Sequence, residues 1–255
     1  MTDFLPRLLR LYRDHEGIEI CSGLNPYHFN NAKDASFTFY LRNGESLTPH
    51  LGISLWETLV LERFCQALQP SSIYVVGNGL GWSALALALI NPQASVVAID
   101  PESGIEMTNR IAFREGLRCM VAPGFSPADN ERVIRQYCAR TPDLLLIDGV
   151  HDNAAVVADF TSLCGLCGNR ATYFFHDVVN FDLHDGLAAI SRMVRPHGMS
   201  AALLGVTPSG MATVYPSQAP AAFTDLLGVF GGSVPGIAYV ARAVGVAPFR
   251  RFDEE

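Results

Sequence analysis

Short apolar runs alternate regularly with helix-compatible stretches through the middle of this 255-residue chain. The runs are rich in valine, isoleucine, leucine and aromatic residues, and they lack the apolar–polar alternation of a half-exposed strand. Fully apolar strands separated by helices are typical of a parallel sheet that is covered on both faces, so a doubly wound α/β fold is predicted. The predicted strands are 73–76, 95–99, 118–121, 143–147 and 171–175, and the predicted helices lie near 82–90, 103–115, 127–140, 152–165 and 184–194.

The flanking segments complete a Rossmann-like, mostly parallel sheet of seven strands. Residues 200–206 and 211–215 flank a turn-like Thr-Pro-Ser-Gly sequence, and they are expected to form a C-terminal antiparallel hairpin. We predict a small N-terminal extension or lid over 1–52, a core over 53–216, and a C-terminal helix and tail over 217–255. The core is predicted to open with a helix whose first turn carries a capping box.

Composition excludes several classes of protein. Hydrophobic residues make up 49% of the chain and charged residues 17%, which is too apolar for a disordered chain. The longest nearly pure apolar stretch, 82–90, is far shorter than the roughly 18–20 residues of a membrane helix, so no membrane partner is expected. The net charge of −7 argues against a nucleic-acid partner. Six cysteines in a chain of this length do not form a disulfide framework, which favours a cytoplasmic location.

A glycine-rich loop, GNGLG at 77–81, directly follows the first predicted strand and precedes a helix. Glycines are needed where the chain turns tightly and a ligand lies against the backbone. The second predicted strand ends at Asp100, where a carboxylate can accept hydrogen bonds from both hydroxyls of a ribose. The loop and the acid together predict a nucleoside-containing ligand, although a plain glycine turn beside a helix-capping Asp100 remains open. An NAD-dependent oxidoreductase is disfavoured, because its loop has a small residue where Trp82 stands.

Acidic and histidine side chains follow two of the later strands. Asp148 and His151 come after the fourth predicted strand, and His176 and Asp177 come directly after the fifth. The carboxyl ends of parallel strands meet at one edge of the sheet, which is where ligands of open α/β sheets bind. Charged groups beside buried strands are costly unless they are used, so a functional cluster is expected there.

Residues 50–215 resemble class I S-adenosylmethionine-dependent methyltransferases in the order of these motifs. The resemblance rests on the G-x-G-x-G loop, on DLLLIDGVHDNAAVVADF and on ATYFFHDV. It is strongest to the bacterial small-molecule O-methyltransferases whose strands end in IDG-x-H and HD, which are relatives of the catechol O-methyltransferase type. The resemblance implies S-adenosylmethionine as cofactor and a hydroxyl of a small molecule as acceptor. The implied cofactor-binding residues are Gly77, Asn78, Gly79, Gly81, Asp100, Ser126 and Asp148.

The same resemblance implies a catalytic centre with a divalent cation, Mg²⁺ or another ion, held by Asp148, His176 and Asp177. His151 stands at the position of the family's lysine base, so His151 and Asp148 are the implied catalytic residues. A cation lowers the pKa of a hydroxyl that it binds, and a neutral imidazole can take the proton near pH 7. Metal-free transfer with His151 as the only base stays open. So do a capping or cofactor-orienting role for Asp148 and a structural role for His176.

Other positions depart from the family pattern or have two interpretations. Val75 stands where the family usually carries a glutamate, and an inactive Rossmann-like nucleoside-binding protein is therefore the alternative function. Phe125 either stacks on the adenine or packs in the core. The aromatic residues of the extension form either a substrate lid or a packed surface, and the apolar ends of the chain are compatible with a homodimer. These aromatic residues are Tyr27, His28, Phe29, Phe37, Phe39 and Tyr40.

Overall fold

A computed structural model describes residues 3–22, 37–47, 51–102, 104–232 and 251–253. The strands are β1 (Glu19–Ser22), β2 (Thr38–Arg42), β3 (Glu45–Ser46), β4 (Ser72–Val76), β5 (Ser95–Asp100), β6 (Cys119–Pro123), β7 (Leu144–Ile147), β8 (Thr172–Phe175), β9 (Met199–Leu204) and β10 (Met211–Pro216). The α-helices are α1 (Phe4–Glu16), α2 (Leu55–Leu68), α3 (Trp82–Ile90), α4 (Ile105–Arg114), α5 (Asn130–Tyr137), α6 (Asn153–Cys167), α7 (His184–Val194) and α8 (Ala221–Phe230).

Seven strands form one sheet in the order β6-β5-β4-β7-β8-β10-β9. The first five of these are parallel, and β10 runs antiparallel to both of its neighbours. The predicted seven-stranded, mostly parallel sheet with a C-terminal antiparallel hairpin is confirmed. The strand order reverses between β4 and β7, which places the switch point of the sheet, where ligands of such folds bind, beside the glycine-rich loop.

The sheet is covered on both faces, as its uninterrupted apolar strands require. Every residue of β4, β7 and β8 is buried. Alternate residues of β4 enter two separate apolar clusters. Ile73 and Val75 pack with residues of α1 to α4 and α8, whereas Tyr74 and Val76 pack with residues of α5 to α7. Burial of this kind contributes roughly 25 cal/mol per Å² of apolar surface, so the core stabilises the strand tips that carry the site.

The helix α5 is shorter than predicted. The sequence predicts a helix over 127–140, but α5 spans only Asn130–Tyr137. Residues 126–129 form a turn instead, and the carboxylate of Asp129 accepts a hydrogen bond from the N–H of Phe125 at 2.9 Å. A side-chain acceptor of this kind favours a turn over a further helical turn.

The N-terminal extension contains a small antiparallel sheet that the sequence does not indicate, with the strand order β1-β2-β3. The extension begins with α1, which buries Phe4, Leu8, Leu11 and Tyr12. The hydroxyl of Tyr12 donates a hydrogen bond to the carbonyl of Leu80 at 2.9 Å. The extension is therefore attached directly to the glycine-rich loop.

Replacing Tyr12 by phenylalanine is expected to lower the free energy of unfolding by about 1 kcal/mol, because one hydrogen bond is lost while the ring remains packed. Urea denaturation measures the change. Tyr137→Phe, at a half-buried tyrosine on α5, serves as control and is expected to change stability less. Equal stability of wild type and Tyr12→Phe would show that the bond to Leu80 contributes nothing.

The C-terminal part contains the predicted helix, which is α8. Residues 233–250 lie outside the described part of the chain. After them, Phe252 is buried and Asp253 accepts a hydrogen bond from the N–H of Leu203 at 2.8 Å, so residues 251–253 pack against β9. Among the helices in the described ranges, none combines the length and the apolar character needed to cross a membrane.

Candidate active site

A cavity of about 610 Å³ opens at the carboxyl ends of the central strands. This volume lies within the usual range of roughly 300–1,000 Å³ for small-molecule sites. The structure brings almost all of the sequence-predicted site residues to the wall of this one cavity. They are Gly77, Asn78, Gly79, Asp100, Ser126, Asp148, His151, His176 and Asp177.

Each glycine of the loop has a different structural surrounding. Gly77 has a φ of +89°, and a Cβ there would lie 2.1 Å from the carbonyl oxygen of Asp148. Gly79 has a φ of +51° with open space around it, so a ligand can approach its backbone. Gly81 is the N-cap of α3 and faces Thr108 rather than the cavity wall. Gly77 and Gly81 therefore shape the loop, and Gly77 and Gly79 line the cavity.

Replacing Gly77 by alanine is expected to destabilise the protein by about 2–5 kcal/mol, combining left-handed strain with a clash against backbone. Gly79→Ala is the matched control, because it introduces the strain without the clash and is expected to cost only about 1–2 kcal/mol. Chemical denaturation of both variants measures the difference. Equal losses would contradict the close approach of the loop to Asp148.

Asp100 organises the loop through its carboxylate. Its Oδ2 atom accepts hydrogen bonds from the N–H groups of Asn78 at 2.8 Å and Gly79 at 3.3 Å, and Oδ1 accepts one from Glu102 at 3.0 Å. The carboxylate thereby fixes the backbone of the loop at the cavity wall.

Trp82 fills the position where a dinucleotide-binding loop has a small residue. It is buried, and its indole N–H donates to the hydroxyl of Thr58 at 3.0 Å while its ring lies 6.0 Å from that of Tyr12. The start of α3 thereby packs against α1 and α2. The dinucleotide fold has a small residue at this position for close helix–strand packing, and Trp82 departs from that pattern.

The far end of the cavity contains a buried acid, Asp159, that carries no clear signal in the sequence. The hydroxyl of Ser126 donates to Asp159 at 2.5 Å and accepts a bond from the amide of Asn130 at 3.0 Å. Burial raises the pKa of Asp159, and the bond from Ser126 only partly opposes this. The one hint of Asp159 in the sequence is an acid within the apolar run VVADF.

Phe125 lies at the cavity rim and is 63% exposed, so the predicted alternative that it packs in the core is wrong.

Four side chains form what we call the acid–imidazole cluster: Asp148, His151, His176 and Asp177. One potential ligand atom from each lies within 4.8 Å of all the others. His151 Nε2 is 3.3 Å from Asp148 Oδ1 and 3.5 Å from Asp177 Oδ2. His176 Nδ1 is 3.2 Å and 3.4 Å from the same two oxygens. Both carboxylates therefore lie between the two imidazoles.

The sheet itself positions this cluster. The N–H groups of Asp148 and His176 continue the strand ladder by donating to the carbonyls of Val76 at 2.9 Å and Ile147 at 3.1 Å. Asp177 then adopts a left-handed conformation with a φ of +57°, which aspartate tolerates better than most residues. Backbone conformations of this kind concentrate at functional sites.

The charges of the cluster stabilise one another against the cost of burial. Burial alone would raise the pKa of Asp148, but His176 and His151 outweigh it and hold that pKa well below its ordinary value. Burial would lower the pKa of both histidines, yet it is raised in each case. For His151 the hydrogen bond and charge of Asp148 dominate, and for His176 the charges of Asp148, Glu57 and Asp177 dominate.

The N-terminal extension supplies part of the cavity wall through Phe37, Tyr40, Leu51 and Gly52. The ring of Phe37 meets that of His176 edge-on, with centroids 6.2 Å apart. Of the aromatic residues singled out in the sequence, Phe37 and Tyr40 thus line the cavity, whereas Phe39 lies in β2 outside the cavity wall. The others, at 27–29, lie outside the described residues.

Comparison with known proteins identifies the fold. No protein-family model and no curated protein matches the chain. Among solved structures, an O-methyltransferase from Bacillus cereus in complex with SAH is 18% identical with a TM-score of 0.55, over 66% of this chain and 84% of that one. The O-methyltransferase TomG from Streptomyces achromogenes, involved in tomaymycin synthesis and in complex with SAM, is 15% identical with a TM-score of 0.55, over 85% and 90%. A methyltransferase from Geobacter sulfurreducens is 20% identical with a TM-score of 0.51, over 64% and 79%.

The chain therefore has the class I methyltransferase fold, with the sheet topology expected from the sequence. At identities of 15–20%, the likeness to these structures defines the architecture alone. The residues at the cavity have to support any statement about chemistry.

Proposed function

We propose that the protein is an S-adenosylmethionine-dependent methyltransferase that methylates a hydroxyl of a small molecule. The observation that carries the proposal is the meeting of a nucleoside-type loop and an acid–imidazole cluster in one cavity of a methyltransferase fold. Two solved O-methyltransferases of this fold are described in complex with SAH or SAM, which supports the choice of cofactor.

The loop side of the cavity would hold the cofactor. The backbone at Gly77, Asn78 and Gly79 faces the position proposed for the methionine end, and Asp100 would accept the ribose hydroxyls. Ser126, with Asp159 behind it, would contact the adenine region. When bound, S-adenosylmethionine supplies an electrophilic methyl group on its sulfonium. The chain's own task is to orient that methyl group toward the acceptor, which is worth several kcal/mol of the barrier.

The acid–imidazole cluster fits a divalent cation. His176 Nδ1 is buried and has no hydrogen-bond partner among the described residues, although two carboxylates lie within 3.4 Å. A buried nitrogen of this kind is costly unless it finds a partner. Asp148, His176 and Asp177 would hold the ion, with His151 beside them. When bound, the cation lowers the pKa of an acceptor hydroxyl.

His151 is the proposed base. Phe181 stacks on its imidazole with ring centroids 4.6 Å apart, and Asp148 and Asp177 face its Nε2 atom. The ring is therefore oriented from two sides. The raised pKa makes the imidazole a stronger base, and its unprotonated form can take the proton of an acceptor hydroxyl at Nε2.

Isothermal titration with S-adenosylhomocysteine and with NAD tests the cofactor. We expect micromolar binding of S-adenosylhomocysteine and no binding of NAD, whereas binding of NAD alone would overturn the proposal. Turnover on a panel of catechols and polyketides, with and without EDTA, then tests the reaction and the cation. Binding without any turnover would support the alternative of an inactive nucleoside-binding protein. Val75, which stands where the family usually carries a glutamate, is buried in the core and offers no acid to the cavity.

The proposal also includes a cytoplasmic location and a homodimer, both of which rest on the sequence. Sedimentation of the purified full-length chain tests the dimer, with a mass twice that of the 27.7 kDa chain as the expected result. A monomer at all concentrations would contradict it.

A further inference from the structure

Glu57, in the first turn of α2, is completely buried beside the cluster without reaching the cavity wall. Its Oε2 atom accepts a hydrogen bond from the N–H of Ser54 at 3.0 Å, as a capping box requires, and another from the Ser54 hydroxyl at 2.8 Å. The carboxylate has two further partners on other elements. Oε1 accepts from the N–H of Ser209 at 2.9 Å and from its hydroxyl, and Oε2 lies 3.1 Å from His176 Nε2. A helix cap alone does not need these contacts.

The contact with Glu57 determines which nitrogen of His176 carries a proton. The Glu57 carboxylate accepts hydrogen bonds from the backbone N–H groups of Ser54 and Ser209, one on each oxygen. Its oxygens therefore act as acceptors, and the Nε2 atom of His176, 3.1 Å from Oε2, is placed to donate. In the neutral imidazole, the lone pair then lies on Nδ1, which points toward Asp148 and Asp177.

In many metal sites a ligating histidine donates its other N–H to a carboxylate. His176 has the same arrangement, with Glu57 at Nε2 and the proposed ion at Nδ1. Nδ1 of His176 has no hydrogen-bond partner within the described part of the chain. With His151, the cluster offers two imidazoles and two carboxylates. Mg²⁺ prefers oxygen ligands and keeps several waters, whereas first-row transition metals accept imidazole readily.

We propose that Glu57 is a positioning residue that makes His176 a direct ligand through Nδ1, so that the site prefers a transition-metal ion to Mg²⁺. This inference rests on the proposed function, because it concerns the cation site proposed there. Ser54 and Ser209 hold the Glu57 carboxylate from two sides, and the carboxylate in turn holds the imidazole. The N-terminus of α2 and the turn between β9 and β10 thereby support a ligand that directly follows β8.

The test is a titration of the full-length protein with Mn²⁺, in which the electron paramagnetic resonance signal of the free ion reports binding. The titration is repeated in excess Mg²⁺. Wild type is expected to bind Mn²⁺ and to retain it against a large excess of Mg²⁺. Glu57→Gln is expected to weaken Mn²⁺ binding about 10- to 100-fold, the usual effect of removing such a partner. The glutamine amide can donate to Nε2, which would place the proton on Nδ1.

Glu62→Gln is the matched control, because Glu62 is also buried on α2 but lies more than one turn further along the helix from the end that contacts His176. It is expected to leave Mn²⁺ binding within about threefold of wild type, below the effect of an outer-shell partner. The inference would be overturned if Glu57→Gln has the same melting temperature as Glu62→Gln and still binds Mn²⁺ as tightly as wild type. Wild-type protein that binds Mg²⁺ as tightly as Mn²⁺ would overturn it equally.

A second measurement does not depend on the folding of Glu57→Gln. In the Mn²⁺-loaded His151→Gln variant, pulsed electron paramagnetic resonance is expected to detect a ¹⁴N nucleus coupled to the ion, and only His176 remains in the cluster to supply it. Absence of this coupling would exclude His176 as a ligand and overturn the inference. Titration with S-adenosylhomocysteine separates the two proposals. Wild type that binds it but not Mn²⁺ refutes this inference but not methyl transfer from the cofactor, and wild type that does not bind it refutes the proposed function.

Discussion

His151→Gln is expected to lower the turnover number at least about 100-fold, the usual contribution of a general base. Glutamine keeps a polar side chain of similar reach but cannot take a proton at neutral pH. The imidazole it replaces has its Nε2 atom 3.3 Å from Asp148 Oδ1 and its ring stacked on Phe181. Steady-state kinetics at saturating S-adenosylmethionine, with the acceptor found in the panel, measure the effect.

The matched control is His197→Gln, an exposed histidine outside the cavity wall. It is expected to leave both kcat and KM unchanged, and His151→Gln is expected to leave the affinity for S-adenosylhomocysteine within a few-fold of wild type. Normal turnover by His151→Gln would show that another group removes the proton. A loss of cofactor binding would instead place His151 at the cofactor.

Asp148→Asn is expected to have the second large effect. One oxygen of this carboxylate lies within 3.3 Å of a nitrogen of each imidazole in the cluster. Removing its charge deprives a bound cation of a direct ligand, so the dissociation constant for Mn²⁺ is expected to rise by more than about 100-fold, beyond the loss typical of an outer-shell partner. Turnover is expected to fall with it, because the acceptor hydroxyl would then keep its proton.

Asp152→Asn is the control for this change, since Asp152 is a nearby acid in the same loop. Its carboxylate caps α6 by accepting from the N–H groups of Ala154 and Ala155, a role that asparagine also performs well. Turnover and Mn²⁺ binding are expected to stay near those of wild type. Asp148→Asn with unchanged Mn²⁺ affinity would remove Asp148 from the cation site.

The central sheet could be predicted from the sequence because its strands are buried on both faces. Such strands appear as continuous apolar runs, and α3 spans the predicted residues 82–90. The sheet of β1 to β3 could not be predicted in the same way. Its strands are short and only partly buried, so their pairing depends on long-range contacts that leave weak periodicity.

Only some of the site residues could likewise be predicted from the sequence. Asp148 and His176 could be grouped in advance, because parallel strands of one sheet end at a common edge. Glu57 is recognisable in the sequence only as part of a capping box, and its contacts with His176 and Ser209 join residues 119 and 152 positions apart. Asp159 similarly faces the cavity because of how α6 packs. Tertiary packing alone brings these two acids to the site.

The crystal structure of the protein with S-adenosylhomocysteine tests the central claim most directly. We predict a ribose bound at Asp100 and a sulfur atom beside Gly79 that faces His151 and Asp148. A nucleoside bound elsewhere on the molecule, or a sulfur atom directed away from those two side chains, would contradict methyl transfer at this cavity.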